Sequence, residues 1–577
     1  MSKSRAVNSI SIALTGSGGA GVMTAGQTLL EAARKCGLYG LMTRSSGPQI
    51  RGGEAAAMLR LATRQVESHG DCFDIHLALD FENVQRFAAE LPLNAQSLII
   101  GDPKAGEVPA AIAAYGARLA HIEMNKLAKT VPAGRISMVA LGVLARLLNL
   151  PKEAMIAAVS EMIGQRKPEA VVASEQAMHL GATAAEGLPE VPYLPLPDVK
   201  PSGRWSITGN EATGLGAIKA GVRFVAGYPI TPATEILEYM APALQKCGGT
   251  LIQAEDELAS INMIIGASHG GVPALTATAG PGLSLMTESI GLAIASETPI
   301  VVVDVMRTGP STGIATKPEQ TDLNIAVYGV HGDAPHIAVA PLGISDALPT
   351  SQWAVELAEA IQTAVIVLSD QSIGQSQAII DRPLDVSFAG QRKGTEPKPN
   401  AYRRYDITES GISPMARPGL PGGQFTADGL EHNMRGTPSS QAQDHIAQLD
   451  KRQRKVENYG YGDFWAEIEG EGEMAVVTWG SSVQPVREAI ALARGRGISV
   501  KLVAMRLISP PQPARLAAAL VGVKRLLVVE QSHTGQFWRY LRAHYDFDAP
   551  AVPIYRPGPL PIRPSEIYGK IFNEARL

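Results

Sequence analysis

The chain has 577 residues, with 51 Lys and Arg against 55 Asp and Glu, a formal net charge of −4, only 5% aromatic residues and 58 glycines. That balance excludes a coiled coil or a disordered chain, and it gives no electrostatic reason to expect nucleic acid or an anionic membrane as partner. At about 100–200 residues per domain, the length allows three or four domains.

Cys36, Cys72 and Cys247 are isolated, without a CxxC pair. They read as inert thiols, and they argue against a disulfide framework or a four-cysteine zinc or iron–sulfur site in this chain. No run of about 18 apolar residues and no signal-like segment is present, so the expectation is a cytoplasmic protein.

Residues 1–190 read as a first α/β domain. The strand SISIALTG runs into Ser17-Gly18-Gly19-Ala20-Gly21 and a helix over 22–36. Gly16, Gly18 and Gly21 satisfy G-x-G-x-x-G between a strand and a helix, where glycines permit close backbone approach and free amides attract phosphate. The next strand, near 38–43, ends in Thr43-Arg44 rather than in an acid that would hold a ribose hydroxyl, which weakens an NAD assignment but leaves a 2′-phosphate open. The polar loop Arg44-Ser45-Ser46-Gly47-Pro48-Gln49-Ile50-Arg51-Gly52-Gly53 follows as a second anion-friendly loop, with a structural turn or a subunit contact as its alternatives.

Five prolines and no helical pattern over 188–204 mark a linker at 191–204. A second domain is expected over 205–371. It has a strand at 222–227 running into Tyr228-Pro229-Ile230-Thr231-Pro232, with Pro232 opening the next helix. A strand at 250–254 then meets Glu255, Asp256 and Glu257 at the start of a helix carrying Leu258, Ile261 and Ile265. A third strand at 274–278 ends in Ala279-Gly280-Pro281-Gly282, and a fourth at 300–306 ends at Arg307. Alternating short strands and helices imply a parallel sheet, whose ligands bind beyond the carboxyl ends of the strands. Thr231, Glu257, the Ala-Gly-Pro-Gly turn and Arg307 all fall at such ends.

The polar loop 308–320 follows Arg307 directly, a usual place for active-site loops. An irregular arm or linker is expected over 372–471, with one exposed, charged helix at 441–458. The last domain, 472–577, repeats βα units with strands at 474–479, 498–504 and 525–530. Its strand-end loops carry Trp479-Gly480-Ser481-Ser482 and Glu530-Gln531-Ser532-His533. His533 is a candidate proton donor, though a surface or interface role explains it as well.

Taken alone, an acid at position 257 needs no function, because carboxylates in a first helical turn gain about 0.3–1 kcal/mol from the macrodipole. Glu257 on an apolar helix nine residues before Gly266, followed by TATAGPG, resembles the pyrimidine-binding domain of thiamine-diphosphate enzymes. Adding Tyr228-Pro229-Ile230-Thr231-Pro232 and Arg307, the stretch resembles the α chain of the 2-oxoacid:ferredoxin oxidoreductases, most like the 2-oxoglutarate enzymes. The GSGGAG and SGPQIRGG loops look like that family's γ subunit, here fused ahead of α.

The implied fold is α/β with three parallel-sheet domains: a γ-like domain, a thiamine-diphosphate pyrimidine-binding domain and a transketolase-C-terminal-like domain. By that resemblance Glu257 hydrogen-bonds the aminopyrimidine and favours the imino tautomer that deprotonates the thiazolium carbon, a task for a partly desolvated carboxyl. Thr278, Gly280 and Pro281 would line the cofactor. Thr231 would hydrogen-bond the 2-oxo acid, beside Tyr228, and Arg307 would pair with its carboxylate through a planar fork. Thr312 and Lys317 are candidates for a distal carboxylate.

Coenzyme A is the implied acyl acceptor, near Gly16, Gly18, Gly19, Gly21, Ser46 and Arg51. No GDG motif and no cluster cysteines are found, so a β-type partner is expected to bring Mg2+, the diphosphate half-site and a [4Fe-4S] cluster that passes electrons to ferredoxin, in an (αβ)2 assembly. The implied reaction is oxidative decarboxylation of 2-oxoglutarate to succinyl-CoA, or its CO2-fixing reverse. Pyruvate or a branched or aryl 2-oxo acid, an NAD(P)-binding dehydrogenase and a non-catalytic scaffold are the alternatives.

Overall fold

A computed structural model describes residues 5–46, 53–82, 84–164, 168–197, 203–315, 317–383, 385–397 and 401–576. The chain forms two compact units. One comprises Met1–Thr208, Gln375–Pro383 and Arg563–Ser565, and the other Gly209–Gly374, Leu384–Ile562 and Glu566–Leu577.

The first unit is built on an eight-stranded sheet. Strands Arg118–His121, Leu98–Gly101, Ile75–Ala78 and Ser9–Ser17 run parallel, and Glu54–Ala62, Tyr39–Ser46, Gln377–Ile380 and Trp205–Thr208 continue the sheet with antiparallel pairings. Two sequence expectations change here. Trp205–Thr208, read as the opening of the second domain, is the edge strand of this sheet. The arm expected to be irregular contributes Gln377–Ile380, placed between Tyr39–Ser46 and Trp205–Thr208. Each of these strands is only four residues long, too short for a periodicity to register. The proline-rich stretch is also partly packed, since Val191 and Leu194 are buried in this unit's core.

The second unit carries two sheets. Its seven-stranded sheet runs in the order Leu507–Ser509, Ile337–Val339, Ala364–Asp370, Ile300–Met306, Ala274–Thr278, Phe224–Gly227 and Thr250–Gln253, all parallel except the first. Ile300–Met306 and Ala364–Asp370 are buried along their whole length, as continuous Val and Ile runs in a covered parallel sheet should be. The five-stranded sheet orders Ala466–Glu469, Val500–Met505, Met474–Trp479, Arg525–Glu530 and Ala551–Tyr555, with only the first strand antiparallel. The two sheets share one hydrophobic core, in which Val302 and Ile366 belong to the same cluster as Val477 and Val503. Leu507–Ser509 crosses from the carboxy-terminal segment to close the edge of the seven-stranded sheet.

The helix expected to be exposed, Ala442–Glu457, instead buries Gln448, Lys451, Arg452 and Lys455 along one face. Those charges are tolerated because Glu297, itself fully buried, accepts from Lys451 Nζ at 2.5 Å and from Lys455 Nζ at 2.9 Å. Arg404 Nη2 donates to the Glu297 main-chain oxygen at 2.7 Å. An acid lying 154 residues away from its partner leaves no local trace in sequence.

Candidate active site

Four parallel strands bring their carboxyl ends together in the second unit: Phe224–Gly227, Thr250–Gln253, Ala274–Thr278 and Ile300–Met306. The sequence expected all four, and the last two within the residue.

Thr250–Gln253 leads into the helix Glu257–His269, whose start is set by Asp256. The Asp256 carboxylate accepts from the Ala259 amide at 2.7 Å, a cap that contributes about 1 kcal/mol. Glu257 is then the first helical residue and is 94% buried. Its carboxyl has no hydrogen-bond or ionic partner among the described residues, whereas of the two acids before it Asp256 caps the helix and Glu255 is exposed. The Glu257 carboxyl points at the turn Gly280-Pro281-Gly282, where a Cβ on Gly282 would lie 2.5 Å from Glu257 Oε1 and 2.0 Å from Thr278 Oγ1. That leaves the carboxyl of a buried residue open to a ligand donor at this turn.

Thr278 is fully buried at the end of its strand. Gly280 begins the helix Gly280–Ala295, with Pro281 in its first turn, where the missing amide proton costs nothing. A side chain on Gly280 would meet Asp322 at 2.6 Å. The turn therefore needs glycine at both ends because carboxyls press on it from either side.

Arg307 is buried and its Nη1 donates to the Thr231 main-chain oxygen at 2.5 Å. Its Nε has no acceptor among the described residues. Burial pulls the guanidinium below its ordinary value, and the Asp322 charge works against that. Thr231 itself is exposed, as is Tyr228. The structure thus brings Thr231 and Arg307 into contact. Pro232 does not open the next helix as expected. The amides of Ala233 and Thr234 close a turn on the Ile230 oxygen at 2.8 and 3.1 Å, and the helix Thr234–Lys246 starts only after it.

The loop after Arg307 folds back on itself. The Thr308 amide donates to the Lys317 oxygen at 2.9 Å and the Ile314 amide to the Thr308 oxygen at 3.0 Å. Thr312 sits exposed at the tip of this loop, and Lys317 is half-buried at its base.

Sequence reasoning missed an acidic pair beneath this site. Asp304 lies on the strand ending at Arg307, fully buried, and no donor among the described residues reaches either of its oxygens. It faces Asp322, whose Oδ1 accepts from Thr321 Oγ1 at 3.1 Å and whose Oδ2 has no donor among the described residues. Two facing carboxyls satisfy each other only by sharing a proton. Burial, then the Asp322 charge, holds Asp304 well above the carboxylate range, and burial lifts Asp322 to about 6. The signal was available: a lone acid inside IVVVDVM is a charge in an otherwise apolar strand.

In the first unit, the helix Val22–Lys35 starts where the Gly-rich motif predicts, with Gly19 and Gly21 at φ 97° and 90°. The loop's amides are largely committed, however. Ser17 N donates to Asp80 at 2.8 Å, Gly18 N to the Gly53 oxygen at 2.6 Å and Ala20 N to the Ser17 oxygen at 3.0 Å. Asp80, which also accepts from Ser17 Oγ at 3.0 Å, sets a negative charge beside Gly16. Glu54–Ala62 is inserted antiparallel between Ser9–Ser17 and Tyr39–Ser46, so the two strands flanking the Gly-rich helix are not neighbours as a dinucleotide-binding unit requires. Arg51 and the side chain of Ser46 lie outside the described residues.

Two family profiles match the chain. Residues 215–451 match pyruvate flavodoxin/ferredoxin oxidoreductase, thiamine diphosphate-binding, and residues 11–184 match pyruvate ferredoxin/flavodoxin oxidoreductase. The α subunit of 2-oxoacid:ferredoxin oxidoreductase 2 from Aeropyrum pernix is 30% identical over 601 aligned positions, covering 93% of each chain. The chain belongs to the 2-oxoacid:ferredoxin oxidoreductase family. It is an α-type subunit of a thiamine-diphosphate-dependent oxidoreductase, with a γ-like domain ahead of the cofactor-binding region.

Among its relatives, the 2-oxoglutarate synthase subunit KorA of Methanothermobacter marburgensis is 35% identical over 344 positions, covering 58% of this chain and 90% of that one. A solved 2-oxoglutarate:ferredoxin oxidoreductase from Magnetococcus marinus, with 2-oxoglutarate, coenzyme A and succinyl-CoA bound, superposes with a TM-score of 0.91 at 34% identity, covering 98% of this chain and all of that one. The likeness extends across all three sheets of this oxidoreductase subunit. No helix among the described residues is long and apolar enough to cross a membrane.

Proposed function

We propose that this α-type subunit forms the pyrimidine-side wall of an active site that decarboxylates 2-oxoglutarate oxidatively, passing the succinyl group to coenzyme A and two electrons, one at a time, to ferredoxin. The observation that carries the site assignment is Glu257, a buried residue whose carboxyl has no partner among the described residues and is aimed at a turn that tolerates only glycine at position 282. A carboxyl so placed suits a hydrogen bond with a ring nitrogen of the pyrimidine, and Thr278, Gly280 and Pro281 line the approach. When bound, thiamine diphosphate supplies the carbanion-stabilising chemistry of the decarboxylation.

The chain's own residues do the remaining work. Glu257 would hold or accept a proton at its carboxyl, placed to hydrogen-bond the pyrimidine of the cofactor. Arg307, its Nη1 anchored on the Thr231 oxygen and its Nε unused, offers the substrate's 1-carboxylate a fork already stripped of water. Thr231 directs its hydroxyl to the 2-oxo group beside Tyr228. Lys317, with Thr312 at the loop tip, answers the distal carboxylate of a dicarboxylic substrate. The 2-oxoglutarate named for the Methanothermobacter and Magnetococcus relatives favours that substrate over pyruvate or a branched or aryl 2-oxo acid.

Mg2+, the diphosphate half-site and a [4Fe-4S] cluster are assigned to a β-type partner, in an (αβ)2 assembly. In support, Leu258, Met263 and Leu285 are exposed on the helices flanking Glu257, and Ile252 and Tyr228 are exposed on adjoining strand ends, an apolar surface suited to a protein partner. Coenzyme A is assigned to the γ-like domain near Gly16, Gly18, Gly19, Gly21, Ser46 and Arg51, although the committed amides and Asp80 leave that loop a weaker anion site than its glycines suggest.

The test is reconstitution with the co-purifying partner and assay of viologen-dye reduction across a panel of 2-oxo acids with coenzyme A. Glu257→Ala should abolish turnover and weaken thiamine diphosphate binding by calorimetry while the thermal melt stays unchanged; near-normal turnover would refute the site. Coenzyme A affinity unaltered in both Arg44→Ala and Arg51→Ala would sink the second assignment. NAD(P)H-linked turnover without dye reduction would favour the dehydrogenase.

A further inference from the structure

The loop that follows Arg307 is held from outside its own sheet. Gln320 is fully buried, and its side-chain amide is fastened to two strand-end loops of the five-stranded sheet. Its Nε2 donates to the Trp479 oxygen at 3.0 Å, and its Oε1 accepts from the Gln531 amide and from Ser482 Oγ, both at 2.8 Å. Its main-chain amide donates to the Gln531 oxygen at 2.8 Å. The orientation of this amide is fixed by its partners, since a peptide oxygen only accepts and a peptide N–H only donates. Gly480, at φ 58°, makes the approach possible: a Cβ there would lie 2.6 Å from Gln320 Nε2.

A second fastening sits one residue on. Gln536 Nε2 donates to the Thr321 oxygen at 2.7 Å and its Oε1 accepts from the Asn324 amide at 2.9 Å. Thr321 Oγ1 in turn donates to the Arg307 main-chain oxygen at 3.2 Å. An unbroken path of hydrogen bonds and chain therefore runs from the ends of strands Met474–Trp479 and Arg525–Glu530, through Gln320 and Thr321, to the backbone of Arg307.

We infer that the carboxy-terminal sheet is the positioning frame of the substrate clamp, and that Gln320, with Gln536 in support, is a positioning residue that fixes where Arg307 and the 308–317 loop stand. The inference rests on the proposed role of Arg307 for its catalytic consequence, but not for the clamp itself. A core needing only cohesion would be filled with apolar side chains here. A satisfied polar network specifies one arrangement, because every alternative leaves a buried donor or acceptor unpaired. The specificity is spent on a loop that begins at the substrate arginine. This also gives the third sheet a task, since none of its side chains is assigned to the cofactor or to the 2-oxo acid.

The experiment has two independent readouts. In the chain alone, hydrogen exchange of amides 308–322 should speed up in Gln320→Leu while the strand Ile300–Met306 stays protected. In the reconstituted complex, Gln320→Leu should lower kcat/KM for the 2-oxo acid by about 10- to 100-fold, mostly through KM, as expected for an ångström-scale misplacement. Combining it with Arg307→Lys should cost less than the product of the two single losses, because the second change disturbs a clamp already displaced. Gln320→Leu that fails to fold is replaced by Gln536→Leu, which releases only Thr321 and Asn324 and should produce the same pattern more weakly.

Unchanged exchange across 308–322 overturns the clamp. Faster exchange with unchanged kcat/KM, or a strictly multiplicative double mutant, overturns the positioning role. A wild-type complex that turns over no 2-oxo acid refutes the proposed function instead, and the exchange measurement still decides the clamp.

Discussion

Glu297→Gln tests how the long arm between the second and third sheets is secured. Among the described residues, Glu297 is the sole acid facing the buried ammonium groups of Lys451 and Lys455, at 2.5 and 2.9 Å, with all three side chains fully buried. The two lysines with Arg404 hold Glu297 far below the carboxylate range against the opposing effect of burial, so its charge is present at any working pH. Glutamine keeps the size and leaves the ammonium groups without a counter-charge. Removing one partner of a buried pair costs about 3–5 kcal/mol.

The two lysines share that cost unequally. Burial has already pulled Lys455 down to about 7 against the raising effect of Glu297, so it has less left to lose. Lys451, with Ser413 Oγ at 2.9 Å as its remaining acceptor, bears most of the loss. Its loss has a ceiling, because surrendering at pH 7 the proton of a lysine whose ordinary value is 10.5 costs about 5 kcal/mol. That ceiling shrinks by about 1.4 kcal/mol for each pH unit above 7, because the unfolded chain's advantage in keeping the proton shrinks with it.

The expected outcome is a melting temperature lowered by roughly 5–10 °C at pH 7, with the deficit narrowing steadily toward pH 9.5. Differential scanning calorimetry of wild type and variant at four pH values measures it. A deficit below about 1 kcal/mol, or one that does not vary with pH, would refute a charge-based fastening and leave a packing explanation.

Three further outcomes follow from the site. Arg307→Lys removes the fork and its bond to the Thr231 oxygen, and should raise KM for the 2-oxo acid by about 10- to 100-fold; steady-state kinetics with coenzyme A saturating reads it. Gly282→Ala forces a methyl against Thr278 and Glu257, and should raise the thiamine diphosphate dissociation constant at least about tenfold, measured by calorimetry. Asp370, buried and hydrogen-bonded by Ser481 Oγ, is lifted by burial from 3.8 to about 6. Its folded state therefore binds more protons than the unfolded chain between those values, so its contribution is complete below 3.8 and is lost as pH rises to about 6, an effect on the order of 3 kcal/mol. Asp370→Asn should accordingly raise the melting temperature, relative to wild type, more at pH 8 than at pH 4.5. Equal differences at both pH values would contradict the shift.

The placement of much of the candidate site was legible because its signals are local. Glu257, Thr231, the Gly-Pro-Gly turn and Arg307 each follow a short apolar strand, and strand ends in a parallel sheet converge whatever the loops do. The Gly-rich motif at 16–21 was also legible but misleading in weight. Its amides are engaged by Asp80 and Gly53, which are separated from it by tens of residues.

Sequence alone determined the strand–helix alternation of the second unit, the glycines at its turns, the residues at its strand ends and the family to which they point. Each of these depends on spacing within about a dozen residues, where periodicity and turn chemistry operate. Tertiary structure alone decided that Trp205–Thr208 and Gln377–Ile380 complete the first sheet, and that Lys451 and Lys455 are buried on Glu297. It also decided that Asp304 meets Asp322 and that Gln320 ties the loop after Arg307 to the third sheet. The physical reason is common to all of them: pairing edges, buried charges and amide clamps are satisfied by whichever partner the fold delivers, and separation along the chain places no limit on which partner that is.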